Sequence, residues 1–388
     1  MKKTLITIAF MSISAPAFSQ AEKSANLEQV RNLAEVVRII NSDYVTEPDE
    51  GKVFAGCFNG MLKSLDNRSE YIDEKMYKEW LDRSATEQSD IGLYMVHKAG
   101  LPYVIGVTQG SPAARAGLKA RDYLLSIDGM STEEMDLNTA HARLKGPAAS
   151  TVTVVIRHYG DIEEREFTLS REYLKPNPVH GRLMDRDVAY VRLTTFGSTT
   201  VEDFISAYQQ LKSDSKGKLR GMVLDLRGSP GGILPAVLNI TSMFFQSHVV
   251  VMSAKGRVPE SNLSVYADDL KAKPLGNKSV PWPEELAKLP LAVLIDTNTA
   301  AGSEILAGAI KDHKRGKIVG QKSMGIGTLQ TIRPLGIKAA VKLTTALNTT
   351  PSGLSIQGDG IEPDISVAAS QSSDDVWISA ALQTLARP

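Results

Sequence analysis

Between residues 180 and 367 the chain repeats one pattern, in which a short apolar run leads through a turn into a helical stretch. The runs are Val188–Leu193, Met222–Leu226, Leu291–Ile295 and the short Ile318-Val319. Helical patterns cover Val201–Leu211, Pro235–Phe245 and about Ala301–His313. A run such as Leu-Ala-Val-Leu-Ile has no polar face, so a strand built from it must be covered on both sides. Strands that alternate with helices imply βαβ units and a mainly parallel sheet, an α/β core over 173–370. Lys338–Thr345 reads as one more strand. The polar, proline-bearing stretch 253–287 is predicted to be a long surface excursion.

A chain of 388 residues is too long for a single hydrophobic core, and its other stretches differ in character. Residues 20–85 read as a helical region. Leu27, Val30, Leu33, Val36, Val37 and Ile40 recur at helical spacing, a second helix is predicted over 51–65, and a third over 74–83. The turn Asp66-Asn67-Arg68-Ser69 separates the last two. Cys57, the only cysteine, falls in Val53–Phe58, which reads as a buried helix, so a packed core thiol is expected and no disulfide within the chain. Residues 86–172 hold short strand-like runs at 103–107, 123–127, 151–157 and 164–169, with short helices at 112–116 and 137–144. This predicts a small β-rich domain. Residues 371–388 form a C-terminal helix or tail.

Composition excludes several functions. Lys plus Arg equals Asp plus Glu at 44 each, with no basic stripe, so no nucleic-acid partner is expected. The six histidines lack metal-ligand spacing, and one cysteine cannot build a zinc site, so no metal or cofactor is expected. No Gly-x-Ser-x-Gly elbow or phosphate loop occurs. At the N-terminus, Lys2 and Lys3 precede an apolar stretch, Leu5–Ile13, and then Ala15-Pro16-Ala17-Phe18-Ser19. This order predicts a signal peptide over 1–19, cleaved near Ser19, and export to the periplasm. No later run is long enough for a transmembrane segment.

Two stretches in the β-rich region, Ser111-Pro112-Ala113-Ala114-Arg115-Ala116-Gly117-Leu118 and Asp122–Gly129, resemble a bacterial protease-type PDZ domain. The resemblance implies a sheet edge that captures peptide C-termini, with the terminal carboxylate received by the loop Ser89-Asp90-Ile91-Gly92 leading into Leu93. Asp90 departs from what an anion pocket wants, and its carboxylate is expected to repel a peptide terminus unless it points away. In the core, Asp225-Leu226-Arg227-Gly228-Ser229-Pro230-Gly231-Gly232, Thr299-Ala300-Ala301-Gly302-Ser303-Glu304 and Ser323–Gln330 resemble the corresponding stretches of carboxyl-terminal processing (tail-specific) serine proteases.

By this resemblance Gly231 or Gly232 and Gly302 supply oxyanion donors, Ala301 stands where the family has its serine nucleophile, and Ile326 stands where it has its general-base lysine. The family separation of 25 is kept, since 326 − 301 = 25. Gln330 matches the glutamine that orients the dyad. An alanine cannot attack a carbonyl and an isoleucine cannot accept a proton. Were 322–326 a strand, Lys322 would lie about 13 Å from the base position, and Ser303 reads as a cap or first-turn residue. Two functions follow. One is a pseudoprotease of the cell envelope that binds C-terminal tails, an adaptor protein or an active relative, and forms a homo-oligomer as relatives do. The other is an active serine endopeptidase that cleaves proteins at their C-terminal tails, this sequence being either an inactivated variant of it or one that uses another nucleophile, with Thr299 or Ser303 as the candidates.

Overall fold

The computed structural model describes residues 20–81, 89–108, 110–133, 135, 137–174, 177–272, 281–336, 338–368 and 374–385. The predicted signal peptide lies outside them. The chain divides near residue 60 into two compact units. The first is helical, with α1 over Gln20–Asp43 and α2 starting at Glu50 and ending at Lys63. The apolar stripe expected on α1 leaves Leu27, Val30 and Val36 exposed. Helix α2 has no buried residue, and Cys57 is only partly covered. The expectation of a packed core thiol is therefore corrected. The helix pairs Phe54 with Phe58 one turn on, ring centroids 6.1 Å apart, but buries none of its side chains fully.

The second unit opens with β1 (Glu70–Ile72) and α3 (Glu74–Leu81). A small sheet follows, built from β2 (Leu93–Lys98), β3 (Leu101–Val107), β4 (Asp122–Ile127), β5 (Met130–Ser131), β6 (Thr151–His158) and β7 (Glu164–Ser170). Its strand order is β2-β3-β4-β6-β7 with β5 on β4, so β2 is an edge. Helix α4 (Pro112–Ala116) lies between β3 and β4, and α5 (Leu137–Leu144) between β5 and β6. Local chemistry sets α4. Ser111 accepts the Ala114 N–H as N-cap, Pro112 occupies the first turn, and Gly117 closes the helix at φ 90°. Ile91, Val104, Leu124, Ile127, Val152 and Val154 form this module's own core.

The α/β core contains β8 (Val179–Met184), β9 (Val188–Leu193), α6 (Thr200–Asp214), β10 (Gly221–Asp225), α7 (Leu234–Met243), β11 (Val250–Gly256), β12 (Leu263–Tyr266) and α8 (Ala267–Ala272). It continues with β13 (Leu291–Ile295), α9 (Gly302–Asp312), β14 (Lys317–Gly320), β15 (Thr328–Leu335), β16 (Ala339–Thr349), β17 (Ile365–Ser366) and α10 (Asp374–Leu385). The main sheet has the order β17-β14-β13-β10-β9-β8, and every pair is parallel except β8 with β9. The apolar runs bury both faces. Val188, Tyr190, Val223, Ala292 and Leu294 face α10, while Ala189, Val191, Met222, Leu224 and Val293 face the layer of α6, α7 and α9. Each fully buried Leu or Ile, such as Leu306 and Ile310 of α9, contributes about 1.5–3 kcal/mol.

Two expectations are corrected here. The stretch 253–287 is not simply a surface excursion: β11 and β12 pair as an antiparallel hairpin, α8 follows, and 273–280 lie outside the described residues. The hairpin lies in a second, antiparallel sheet of order β1-β16-β11-β12, with β15 on β16. Edge strand β12 buries none of its residues fully, so it carries little apolar signal. The strand expected at 338–345 is β16, which belongs to this antiparallel sheet and runs on to Thr349.

Candidate active site and peptide loop

Parallel pairing puts the ends of β10, β13 and β14 side by side, so the three loops that leave them converge, at the place where open α/β sheets hold their sites. Backbone and side-chain bonds fix the arrangement. Ala300 N–H donates to Ser229 O at 2.9 Å, and Met324 N–H to Thr299 O at 2.9 Å. Gly228 N–H donates to Asp296 Oδ1 at 2.9 Å, and Thr299 Oγ1 donates to Leu226 O at 2.9 Å. Burial pushes the Asp296 carboxyl up, against its hydrogen bonds from Gly228, Thr299 and Asn298.

Glu304 holds two of these loops together. It is fully buried, and both oxygens accept twice: Oε1 from Ser323 Oγ (2.5 Å) and Gly325 N–H (2.7 Å), Oε2 from Ala301 N–H (2.8 Å) and Ile326 N–H (2.8 Å). The positions of interest, 301 and 326, thus bond to one carboxylate oxygen. Burial pushes the Glu304 carboxyl up, and the four donors push back. The sequence alone gives this glutamate no role beyond its place in the Thr299–Glu304 stretch. The signal was its place three residues into α9, where a carboxylate reaches back to a free N–H.

The glycines of the first loop are needed for close approach. Gly231 has φ 86°, and a Cβ there would fall 2.5 Å from the Gly302 nitrogen. A Cβ on Gly302 would meet Val237 Cγ2 at 2.5 Å. The N–H groups of Gly231 and Gly302 have no hydrogen-bond partner among the described residues, and the two glycines approach closely, as two donors to one oxyanion must. Gly232 is more exposed and bridges to Phe196.

Ala301 sits just before α9 at φ 49°, ψ −113°, a conformation that costs an L-residue about 1–3 kcal/mol. Ile326 is 8% exposed. Both belong to one apolar cluster with Ala300, Met324 and the small-sheet residues Tyr94, Val96, Tyr103, Ile105 and Tyr123. The small sheet therefore packs on the positions where a nucleophile and its base would stand, a contact that the sequence did not reveal. The other hydroxyls are engaged. Ser303 Oγ is buried in the first turn of α9 and donates to Ser229 Oγ at 2.9 Å; Thr299 Oγ1 also accepts the Asp296 N–H. Lys322 pairs with Glu362 at 2.8 Å at the surface, and 321–327 is a loop rather than a strand. Gln330, on β15, donates to Thr344 Oγ1 at 3.3 Å.

In the peptide loop Ser89, Ile91 and Leu93 are buried. Asp90 neither points away nor stands empty. Its Oδ1 accepts the Ile91 N–H at 2.6 Å and the Gly92 N–H at 3.3 Å, so the loop amides already face a carboxylate. The outer edge of β2 beyond this loop is unpaired among the described residues, and α5 packs near it. Burial pushes the His141 imidazole of α5 below its ordinary value, opposed by the charge of Asp90.

Residues 187–367 match peptidase family S41, and residues 103–158 match a PDZ domain. The carboxy-terminal-processing protease of Bartonella bacilliformis is 34% identical over 374 residues, covering 95% of this chain and 83% of the relative. The carboxy-terminal processing protease CtpB of Bacillus subtilis is 30% identical over 361 residues, covering 91% of this chain and 71% of the relative. Among solved structures, the photosystem II D1 C-terminal processing protease shares the fold at a TM-score of 0.69, with 24% identity over 90% of this chain and 94% of that one. No described helix is long and apolar enough to cross a membrane. With its α/β core and its PDZ domain, the chain belongs to the S41 peptidases, among the carboxy-terminal processing proteases.

Proposed function

We propose that this protein is a proteolytically silent carboxy-terminal processing protease of the cell envelope, exported to the periplasm, that binds the C-terminal tails of proteins. The observation that carries the reading is the pair Ala301 and Ile326, a methyl and a butyl group on one apolar cluster where the family resemblance puts a serine and a lysine. The reading is supported by what surrounds them: N–H groups without a hydrogen-bond partner among the described residues on the adjoining Gly231 and Gly302, and the strained backbone at 301. An isoleucine also suits position 326 better than an ammonium without a partner serine, which would be a buried, unpaired charge. The engaged hydroxyls of Thr299 and Ser303 and the surface pairing of Lys322 leave the substitute-nucleophile reading without support. The exposed apolar residues of α1 support self-association or docking of an adaptor or an active relative.

The test compares the mature chain with its Ala301→Ser, Ile326→Lys double variant on an unfolded protein with an apolar C-terminus. Cleavage by the double variant alone is expected. Cleavage by the unaltered chain sinks the reading and makes Ser303 or Thr299 the nucleophile to replace next.

A further inference from the structure

A cavity of about 320 Å³ lies between the PDZ sheet and the main sheet, next to the glycine turn that follows β10. Its size is at the lower end of the range for small-ligand clefts, roughly 300–1,000 Å³. Lys119, His180, Arg192 and Arg227 line it, together with the hydroxyl residues Thr108 and Thr195, and no carboxylate does. The two arginines are not equivalent. Arg227 is neutralised by Asp225, which accepts its N–H, Nε and Nη2 and also the Tyr190 hydroxyl. Asp225 is the carboxylate opposite Arg192 across the β9–β10 pairing, and those four donors occupy it. Arg192 retains only a long 3.4 Å contact from Nη2 to Arg227 O. Its Nε is buried without a hydrogen-bond partner among the described residues, and so is Nε2 of His180, the residue that pairs with it across β8–β9. A buried guanidinium N–H left open is costly unless an acceptor fills the space, and a carboxylate there selects the His180 tautomer that donates from Nε2.

We propose that this cavity is a second anion site, which receives the terminal carboxylate of a peptide on Arg192 and His180, with Tyr94, Val107 and Leu118 against the last side chain. The first site favours this division. The PDZ loop amides are held by Asp90, so a tail arriving there meets its own charge, whereas the cavity meets it with the Arg192 guanidinium, whose Nε has no partner among the described residues. The identity of the ligand rests on the tail-binding reading; the cationic site itself does not.

The experiment is fluorescence anisotropy of one labelled, apolar-ended peptide, as free acid and as C-terminal amide, with the full mature chain. The free acid is expected to bind about tenfold tighter, the worth of one charge-assisted hydrogen-bonded pair. Arg192→Gln is expected to abolish the difference, His180→Gln to reduce it, Arg192→Lys to keep part of it, and Asp90→Gly to leave the ratio unchanged. Preserved discrimination in a folded Arg192→Gln chain overturns the proposal. A ratio that responds to Asp90→Gly but not to Arg192→Gln returns the carboxylate to the PDZ loop. Equal binding of acid and amide by the unaltered chain removes the cavity site and leaves tail capture by strand addition standing. Binding of neither peptide removes both readings. Inorganic phosphate serves as competitor, and tighter binding of phosphate than of the peptide overturns the carboxylate assignment.

Discussion

Replacing Glu304 by glutamine changes one oxygen to an NH2 group at the point where α9 meets the loop after β14. Four donors converge on this carboxylate, and three are backbone N–H groups that can only donate. A glutamine oxygen can serve one pair, either Ser323 Oγ with Gly325 N–H or Ala301 N–H with Ile326 N–H. Its NH2 then faces the other pair, where the Ser323 hydroxyl can turn to accept but a backbone N–H cannot, so one or two donors are left open around a side chain with no exposure. Each buried donor left open costs about 1–3 kcal/mol. Relief of the buried charge, whose cost is visible in the raised Glu304 pKa, offsets part of this. The expected net loss is about 3 kcal/mol, or a Tm lowered by roughly 4 °C for a unit of this size. Calorimetry and urea unfolding at neutral pH measure it, with Glu304→Ala as the comparison that removes both acceptor oxygens. A glutamine variant within about 0.5 kcal/mol of the parent would refute the reasoning, because it would mean that the site holds a neutral carboxyl group and that the four donors do not depend on its charge.

Ala301→Gly is expected to stabilise the chain by about 1 kcal/mol, since the backbone at φ 49° no longer opposes a Cβ; a lower Tm would show that 301 is not strained. Gly231→Ala is expected to cost at least about 2–3 kcal/mol, because its methyl group would sit on the Gly302 nitrogen at a φ of 86°, and denaturant unfolding reads the loss. Ile326→Lys alone is expected to lower stability at pH 7 by about 2–4 kcal/mol, as the ammonium meets Val96, Tyr103 and Ile105. Such a lysine has its pKa lowered by burial, so the loss should shrink as pH rises toward about 10, which Tm against pH records. Burial raises the Asp66 carboxyl, but the N–H groups of Arg68 and Ser69 and the Ser69 hydroxyl outweigh it and hold the pKa below its ordinary value. Stability from a depressed carboxyl is present above about pH 4 and lost as pH falls through the folded value, so Asp66→Asn should destabilise at neutral pH and match the parent in acid.

The sequence exposed those parts of the fold that have one period and two covered faces. The runs at 188–193, 222–226 and 291–295 read as buried strands because every residue in them is enclosed, and they are β9, β10 and β13. The hairpin of β11 and β12 was lost because an edge strand with polar residues looks like a loop until its partner is known. Cys57 was misplaced because an apolar helix face signals burial without naming what covers it, and here it stays only partly covered. At the site, the glycines and the two substituted positions were legible only through the resemblance of their stretches to those of the protease family. Glu304 as a four-way acceptor, Asp90 bent back on Ile91 and Gly92, and the tyrosines on Ala301 come from contacts between distant residues, which no local pattern encodes.

Ala301 also separates posture from reagent. Its backbone holds the disfavoured angle with no hydroxyl to present, so the angle is imposed by what surrounds it: Glu304 on its N–H, Ser229 on the N–H of Ala300, and Gly231 against Gly302. A scaffold that fixes the elbow from outside can exchange the atom at its tip without reshaping the elbow. Chemistry at such a position can then be removed by a single codon while the surrounding mould stays in place, whereas restoring it here takes two, at 301 and at 326.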